Sequence, residues 1–361
     1  MAVTDYPVGH PLAVKLWSRR LIREALPATH AFKFMGSSNN SLIQVFDETS
    51  KGPGDRITIP LRLLPTGSGV GETGTLEGNE EGLTTVYDQF VINDLAHALR
   101  VKTKIDQQRV PFNTREEARA GLSDWYADRI DTWFFNQIGG KTDVVNTLLT
   151  GNNATLAATS ATGNTRIIYP VDYGTENSIS TSGSYTFNLT FLDRAVAIAK
   201  TANPILRPIK VGGEEYYVAF LHPNSVKELR TNSAGAGSWI DIQKAAMQGG
   251  DIENNPIFTG ALGVYNGVVL HENRRVPIAP SNANVRRDLF CGAQAVALGF
   301  GQGYGEEPKY VEKDFDYGRQ FGASVQTIMG MKKTQFSLSG GAGGGVVDFG
   351  TIVMANFNKA A

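Results

Sequence analysis

The chain has 361 residues, 41% of them hydrophobic, and a formal net charge of −1. That is enough for two or three compact domains or one elaborate one, and too little charge for a chain that binds nucleic acid by bulk electrostatics. One cysteine, Cys291, excludes a disulfide framework and a cysteine-cluster metal site, and it fits synthesis in a reducing cytosol. No run of eighteen apolar residues suggests a membrane span, and the start M-A-V-T-D-Y-P-V-G-H-P lacks a secretory signature.

Residues 1–50 read as an arm. Leu12 to Leu26 has an amphipathic helical pattern, with Leu12, Leu16, Ile22 and Leu26 apolar and Lys15, Arg19, Arg20 and Arg23 basic, ended by Pro27. From Met1 to Met35 five Lys or Arg stand against Asp5 and Glu24, a local charge of +3. Such a segment cannot bury a core alone and needs a surface to lie on. Either the basic face is simply solvated, or it meets an acidic neighbour, protein or DNA.

Residues 51–100 read as an extended two-stranded loop. Arg56-Ile57-Thr58-Ile59-Pro60-Leu61-Arg62-Leu63 alternates apolar and polar, as a half-exposed strand does. Pro60 removes a ladder donor, and Thr84 to Leu95 supplies a partner strand. Between them Pro65 to Gly82 carries six glycines, Glu72, Glu77, Glu80 and Glu81, and no basic residue. A loop this long is usually functional, and a two-stranded arm is marginal unless it lies on another surface. Gly69, Gly71 and Gly74 match G-x-G-x-x-G. The T-L-E-G-N-E-E-G that follows is no helix start, and its carboxylates would repel a pyrophosphate.

The stretch from Asn113 to Gly140 is the organising helix. Thr114 and Glu117 have capping-box spacing, Glu116 and Glu117 suit the positive end of the helix dipole, and Gly139-Gly140 gives the stop. Leu122, Trp125, Tyr126, Ile130, Trp133, Phe134 and Ile138 recur at steps of three and four, a wide apolar stripe for a broad sheet. At about 25 residues, or roughly 37 Å, it is long for a globular helix.

Lys141 to Leu189, rich in Ser, Thr, Asn and Gly, reads as a surface insertion. The sequons at Asn153 and Asn188 carry little weight without a secretion signal. Thr190 and Asp193 are expected to cap a helix through Ala199, stopped near Asn203-Pro204. Strands are expected at Glu215 to Leu221, at Val268 to Leu270 after the Asn266-Gly267 turn, and once over Leu289 to Phe300. Helices are expected at Asn224 to Arg230 and from Ser238 to Gly249-Gly250. From Tyr310 onward the pattern is mostly strand, broken by glycines at Gly340 to Gly345.

Chemistry has no foothold in these patterns. His222 and His271 lack metal-ligand spacing, and His222, before a proline, reads as structural. There is no G-x-S-x-G elbow and no Walker A loop. Cys291 lies in an apparent buried strand. The four tip glutamates have no EF-hand pattern, so solvated or partner-facing charge is the reading. No catalytic, cofactor-binding or metal residue is assigned, and the chain is expected not to be an enzyme.

Four stretches carry a resemblance. They are P-F-N-T-R-E-E-A-R-A-G-L-S-D-W-Y-A-D-R-I-D, Y-Y-V-A-F-L-H-P-N-S-V-K-E-L-R, N-P-I-F-T-G-A-L-G-V-Y-N-G-V-V-L-H-E and D-F-G-T-I. Together, over residues 30–355 and in the same order, the chain resembles the N4-type major capsid proteins of tailed phages, which are similar in fold to the Hong Kong 97-type capsid proteins. The resemblance implies an α+β, Hong Kong 97-like fold: an N-terminal arm at 1–50, an extended loop at 51–100 and a peripheral domain with its spine helix at 101–145. It further implies an axial domain at 146–305 and C-terminal strands at 306–361 returning to the peripheral domain. It implies self-assembly, as hexamers and pentamers, into an icosahedral head around double-stranded DNA that is bound without sequence specificity. Portal, scaffolding and decoration proteins are the implied partners, the host bacterial cytoplasm the implied place of assembly, and the virion the destination. Scaffold is expected as a separate protein or not at all, and no cross-link motif carries over. Contact between subunits is expected from Arg19, Arg20 and Arg23 on the arm and Glu72, Glu77, Glu80 and Glu81 on the tip.

Three other readings compete. An encapsulin-like nanocompartment shell would share the fold and would be marked by neighbouring cargo-enzyme genes. An oxidoreductase would need saturable NAD binding at Gly69, Gly71 and Gly74. A carbohydrate-binding surface module would need glycan binding by the isolated subunit.

Overall fold

The computed structural model describes residues 31–46, 54–72, 74–102, 104, 113–161, 164–170, 174–179, 185–231, 262–301, 308–338 and 345–358. The principal elements, in order, are β1 (Ile43–Phe46), β2 (Arg56–Arg62), β3 (Thr85–Val91), β4 (Asn93–Val101), α1 (Thr114–Ile138), β5 (Ile167–Ile168), α2 (Leu189–Thr201), β6 (Glu214–Leu221), α3 (Pro223–Thr231), β7 (Val268–Glu272), β8 (Asn282–Cys291), β9 (Val296–Phe300), β10 (Lys309–Phe315), β11 (Gln320–Lys333) and β12 (Thr351–Phe357).

Two sheets share one helix. The first is built on β11, which pairs with β4 on one side and with β10 and then β9 on the other; β1 lies parallel beside β9. The second runs β7-β6-β8-β12-β5, with β6 and β7 parallel and β8 antiparallel to both β6 and β12. The spine helix α1 packs against both. Leu122, Tyr126, Ile130, Trp133, Phe134, Phe135 and Ile138 join Val325, Met329 and Met331 of β11 and Val218, Phe220 and Leu289 of the second sheet in one core. Phe134 and Phe135 meet the Phe220 ring edge-on at 5.6 Å.

Strand periodicity sorts the second sheet's faces. Val218 and Phe220 of β6 look toward α1, whereas Tyr217, Ala219 and Leu221 pack under Leu192, Ala195 and Ala199 of α2 and Val226 and Leu229 of α3. Two charge pairs are buried: Lys333 meets Asp348 at 3.0 Å with neither exposed, and Arg287 donates from Nη2 to Glu176 at 2.9 Å.

Several expectations are corrected in detail. The cap of α1 is Asn113, whose side chain accepts from the Arg115 amide, rather than Thr114. Among the two stop glycines only Gly140 is left-handed, at φ +61. Trp125 is the half-buried member of the stripe, stacked on His97 with centroids 4.4 Å apart. Asn188 precedes α2, and Asp193 instead accepts from Tyr265 and Asn266. Leu289 to Phe300 is two strands in two different sheets, because the chain turns at Gly292, where a Cβ would lie 2.3 Å from the Arg207 carbonyl oxygen. The Ser/Thr-rich insertion is not wholly superficial: Ile167, Ile168 and Phe187 are buried, and β5 extends the second sheet alongside β12. The helix expected from Ser238 lies outside the described residues.

Candidate functional site

The extended loop is a real hairpin. β2 and β3 pair antiparallel from Arg56 with Val91 to Arg62 with Thr85, and among the described residues they form a sheet of two strands. Its burial is graded. At the base Ile57 and Phe90 pack with Ile92 and Ala297, flanked by Phe46, Ile59 and Ile328. Toward the tip Tyr87, Leu64, Leu83 and Leu76 are 67–84% exposed. Four large apolar side chains on one projecting loop gain nothing from water; burying each against a partner is worth about 1.5–3 kcal/mol.

The base is held by polar contacts that no motif announced. Asn153 accepts from the Val91 amide at 2.8 Å and donates to the Val91 carbonyl at 2.9 Å. The same amide group reaches the Gly151 and Met331 carbonyls. Asp88 pairs with the Lys332 ammonium and accepts from the Gln335 amide at 3.1 Å. Glycine lets the hairpin sit close: a Cβ on Gly299 would lie 2.2 Å from Ile57 Cδ1, and one on Gly330 2.1 Å from the Val91 carbonyl oxygen. Asn153 read as a glycosylation sequon, which hid its role; Asp88 read only as part of the partner strand Thr84 to Leu95.

The tip carboxylates divide into two kinds. Glu81 closes the loop on itself: its two oxygens accept from the amides of Thr66 at 2.8 Å and Gly67 at 2.6 Å. Those amide bonds, Thr66 first, hold its carboxyl below the ordinary value. Glu80 accepts from the Gly78 amide at 2.8 Å. Glu72 and Glu77 are exposed, and the described residues show no hydrogen bond or ion pair for either. Glu81 and Glu80 thus hold the tip's own backbone, whereas Glu72 and Glu77 stand exposed. Arg19, Arg20 and Arg23 lie outside the described residues.

The remaining candidates are structural. His222 is buried beside α3, and its Nδ1 accepts from the Asn224 amide. Cys291 is fully buried, and burial pushes its thiol up. Among the described residues from Gly69 to Lys102 none is helical, so no helix follows Gly69, Gly71 and Gly74 there.

Residues 5–360 match the family model described as phage capsid protein. The chain belongs to the phage capsid protein family. Over 367 aligned residues, 93% of each chain, it is 33% identical to the major capsid protein of Pseudomonas phage KPP25. The capsid of Ralstonia phage GP4 superposes with a TM-score of 0.76 at 26% identity over 99% of both chains. The capsid asymmetric unit of cyanophage Pam1 gives 0.70 at 18% identity over 100% of this chain and 95% of that one, a likeness of fold. This phage capsid protein has the α+β, Hong Kong 97-like fold, and it is a structural shell protein of the virion that assembles with copies of itself.

Proposed function

We propose that the chain is an N4-type major capsid protein whose hairpin tip, Pro65 to Gly82, docks on a neighbouring copy. The observation that carries this is the graded hairpin, locked at its base and offering Leu64, Leu76, Leu83 and Tyr87 at its far end. Glu72 and Glu77 add charge for the basic arm of a neighbour, with Arg19, Arg20 and Arg23 as partners. Each exposed pair is worth only about 0–1 kcal/mol, and repetition over a closed shell makes the sum decisive. Copies associate as hexamers and pentamers in the host bacterial cytoplasm, with portal, scaffolding and decoration proteins as further partners, around double-stranded DNA held without sequence readout. The family match favours a phage head over a cellular nanocompartment.

The partition we propose keeps the arm at 1–50, the loop at 51–100, the peripheral domain at 101–145 with β11, and the axial domain at 146–305. Pairing supports two exchanges: β12 goes with the axial sheet and β9 with the peripheral one.

The test is a pair of variants. Glu72→Gln with Glu77→Gln should leave the tip folded and weaken assembly, more so in high salt, where screening removes the remaining charge contacts. Leu64, Leu76 and Leu83 all changed to Ser should prevent shells outright. Charge reversal of Arg19, Arg20 and Arg23 should fail like the glutamate variant, and opposite charges restored across the two segments should partly rescue it. Normal shells from the Leu and Glu variants at both salts would overturn the proposal.

A further inference from the structure

The loop that follows α1 is held rigidly and still turns apolar side chains outward. Four side chains in the second half of the helix grip it by its carbonyls. Arg129 and Trp133 donate to the Leu148 carbonyl at 3.2 and 2.9 Å, Asn136 donates to that of Leu149 at 2.9 Å, and Gln137 donates to that of Thr150. Steps of four, three and one put the four donors along one side of the helix. Asn146 caps the short 3-10 turn Thr147–Leu149 by accepting from the Leu148 amide at 3.1 Å, and the Thr147 carbonyl accepts from the Asn152 amide at 2.9 Å. With its backbone fixed in this way, the loop leaves Val145 89% exposed, more than any leucine of the hairpin tip, and Leu148 46% exposed. These two side chains gain burial only from another surface.

The patch sits at the root of the hairpin. The same loop runs on to Asn152, which donates to the Asn93 carbonyl at 3.3 Å, and to Asn153, which grips Val91. From that root β2 and β3 carry the tip away over seven paired residues, roughly 23 Å. Patch and tip therefore stand at opposite ends of one extended element, and a contact between them needs two copies. Each copy would give one tip and receive one. Such a head-to-tail contact closes into a ring when the rotation between copies allows it. The chemistry matches, since the tip offers Leu64, Leu76 and Leu83. Beside the patch stand Arg129 and Lys141, the latter 3.7 Å from Asp143, so the rim favours an acidic tip.

We propose that the loop Val144 to Leu149 is the receiver for the hairpin tip of a neighbouring copy, with Val145 and Leu148 covered by the neighbour's tip leucines. This rests on the tip-docking reading above and names where the tip lands.

The experiment uses the full-length protein. Val145→Ser with Leu148→Ser should leave the melting temperature of the free subunit unchanged, because both side chains are exposed, and should lower the yield of shells at least tenfold. Separately, Val145→Cys is combined in one chain with Leu64→Cys, Leu76→Cys or Leu83→Cys. Mild oxidation of the assembled protein should give a ladder of disulfide-linked copies for at least one of the three pairings, and none for Val145→Cys alone. A disulfide needs the two Cα atoms within about 7 Å, and Cys291, fully buried, takes no part. A normal shell yield from the serine variant together with no ladder from any pairing would overturn the proposal, as would disulfides formed only within one chain. If the tip-leucine variant fails to form shells in the same experiment, that outcome rejects this receiver and leaves tip docking standing. Normal shells from the tip-leucine variant would overturn both.

Discussion

Asn153 and Val91 exchange a reciprocal pair of hydrogen bonds, amide to side-chain oxygen at 2.8 Å and side-chain nitrogen to carbonyl at 2.9 Å. The Asn153 side chain imitates a neighbouring strand at the point where the extended hairpin leaves the body. Because it also reaches the Met331 carbonyl, it ties the hairpin, the insertion after α1 and β11 together.

Removing that side chain should loosen the hairpin before it unfolds the subunit. Asn153→Ala leaves backbone groups of Val91 without partners, a cost of about 1–3 kcal/mol. Hydrogen exchange should speed up in β2 and β3 while β6 and β8 stay protected. Asp88→Asn, which keeps the shape and removes the charge facing Lys332, should give a smaller effect of the same kind.

Trp133 tests the spine. It is fully buried, and its indole N–H donates to the Leu148 carbonyl at 2.9 Å. Trp133→Ala should cost about 3–5 kcal/mol, and Trp133→Phe should lose less, because most of the volume is kept. Denaturant titration of the unassembled subunit measures both.

Much of this was legible in the residues. The stripe from Leu122 to Ile138 named the helix and its buried face, and Ile57 to Leu63 with Thr84 to Leu95 named the hairpin. What escaped was long-range pairing. Nothing local says that Gly292 to Ala295 passes the chain from one sheet to another, since both flanks read as buried strand. Asn153 and Lys332 act across distant sequence, so their types alone could not reveal it. The bonds of Glu81 to the Thr66 and Gly67 amides were equally hidden: a carboxylate that closes a loop and one that faces a partner look alike in sequence.

Asp288 and His222 give the protein opposing acid responses. Burial raises Asp288 to about 6 from 3.8, although it accepts from the His222 amide at 2.9 Å and from Asn356 at 2.7 Å. Burial, then the nearby Arg286 charge, lowers His222 to about 4 from 6.5. Between roughly pH 4 and 6 the folded state binds the extra proton at Asp288, so that group adds stability as pH falls. Over the same range the unfolded state binds the extra proton at His222, so that group loses stability as pH falls. The two slopes should largely cancel. Asp288→Asn should make the melting temperature fall steeply from pH 6.5 to 4, and His222→Asn, which can still accept from the Asn224 amide, should make it rise. Parallel profiles for both variants and the parent would contradict this.

DNA contact should be weak. With a formal net charge of −1, the subunit has little with which to displace counterions from phosphate, so DNA enclosed by a shell of this chain should be balanced mainly by small cations. Affinity of free subunits for duplex DNA should stay low and change little with salt. A steep salt slope, as from many phosphate contacts, would refute it.

We propose that copies of this chain close a shell by seating each hairpin tip on a neighbour. Electron microscopy of the expressed protein, alone and with the neighbouring head genes, tests it most directly. Closed icosahedral particles should form, with Leu64, Leu76 and Leu83 of each copy lying against another copy. Monomers under every condition, or shells whose tips stand free in solvent, would contradict it.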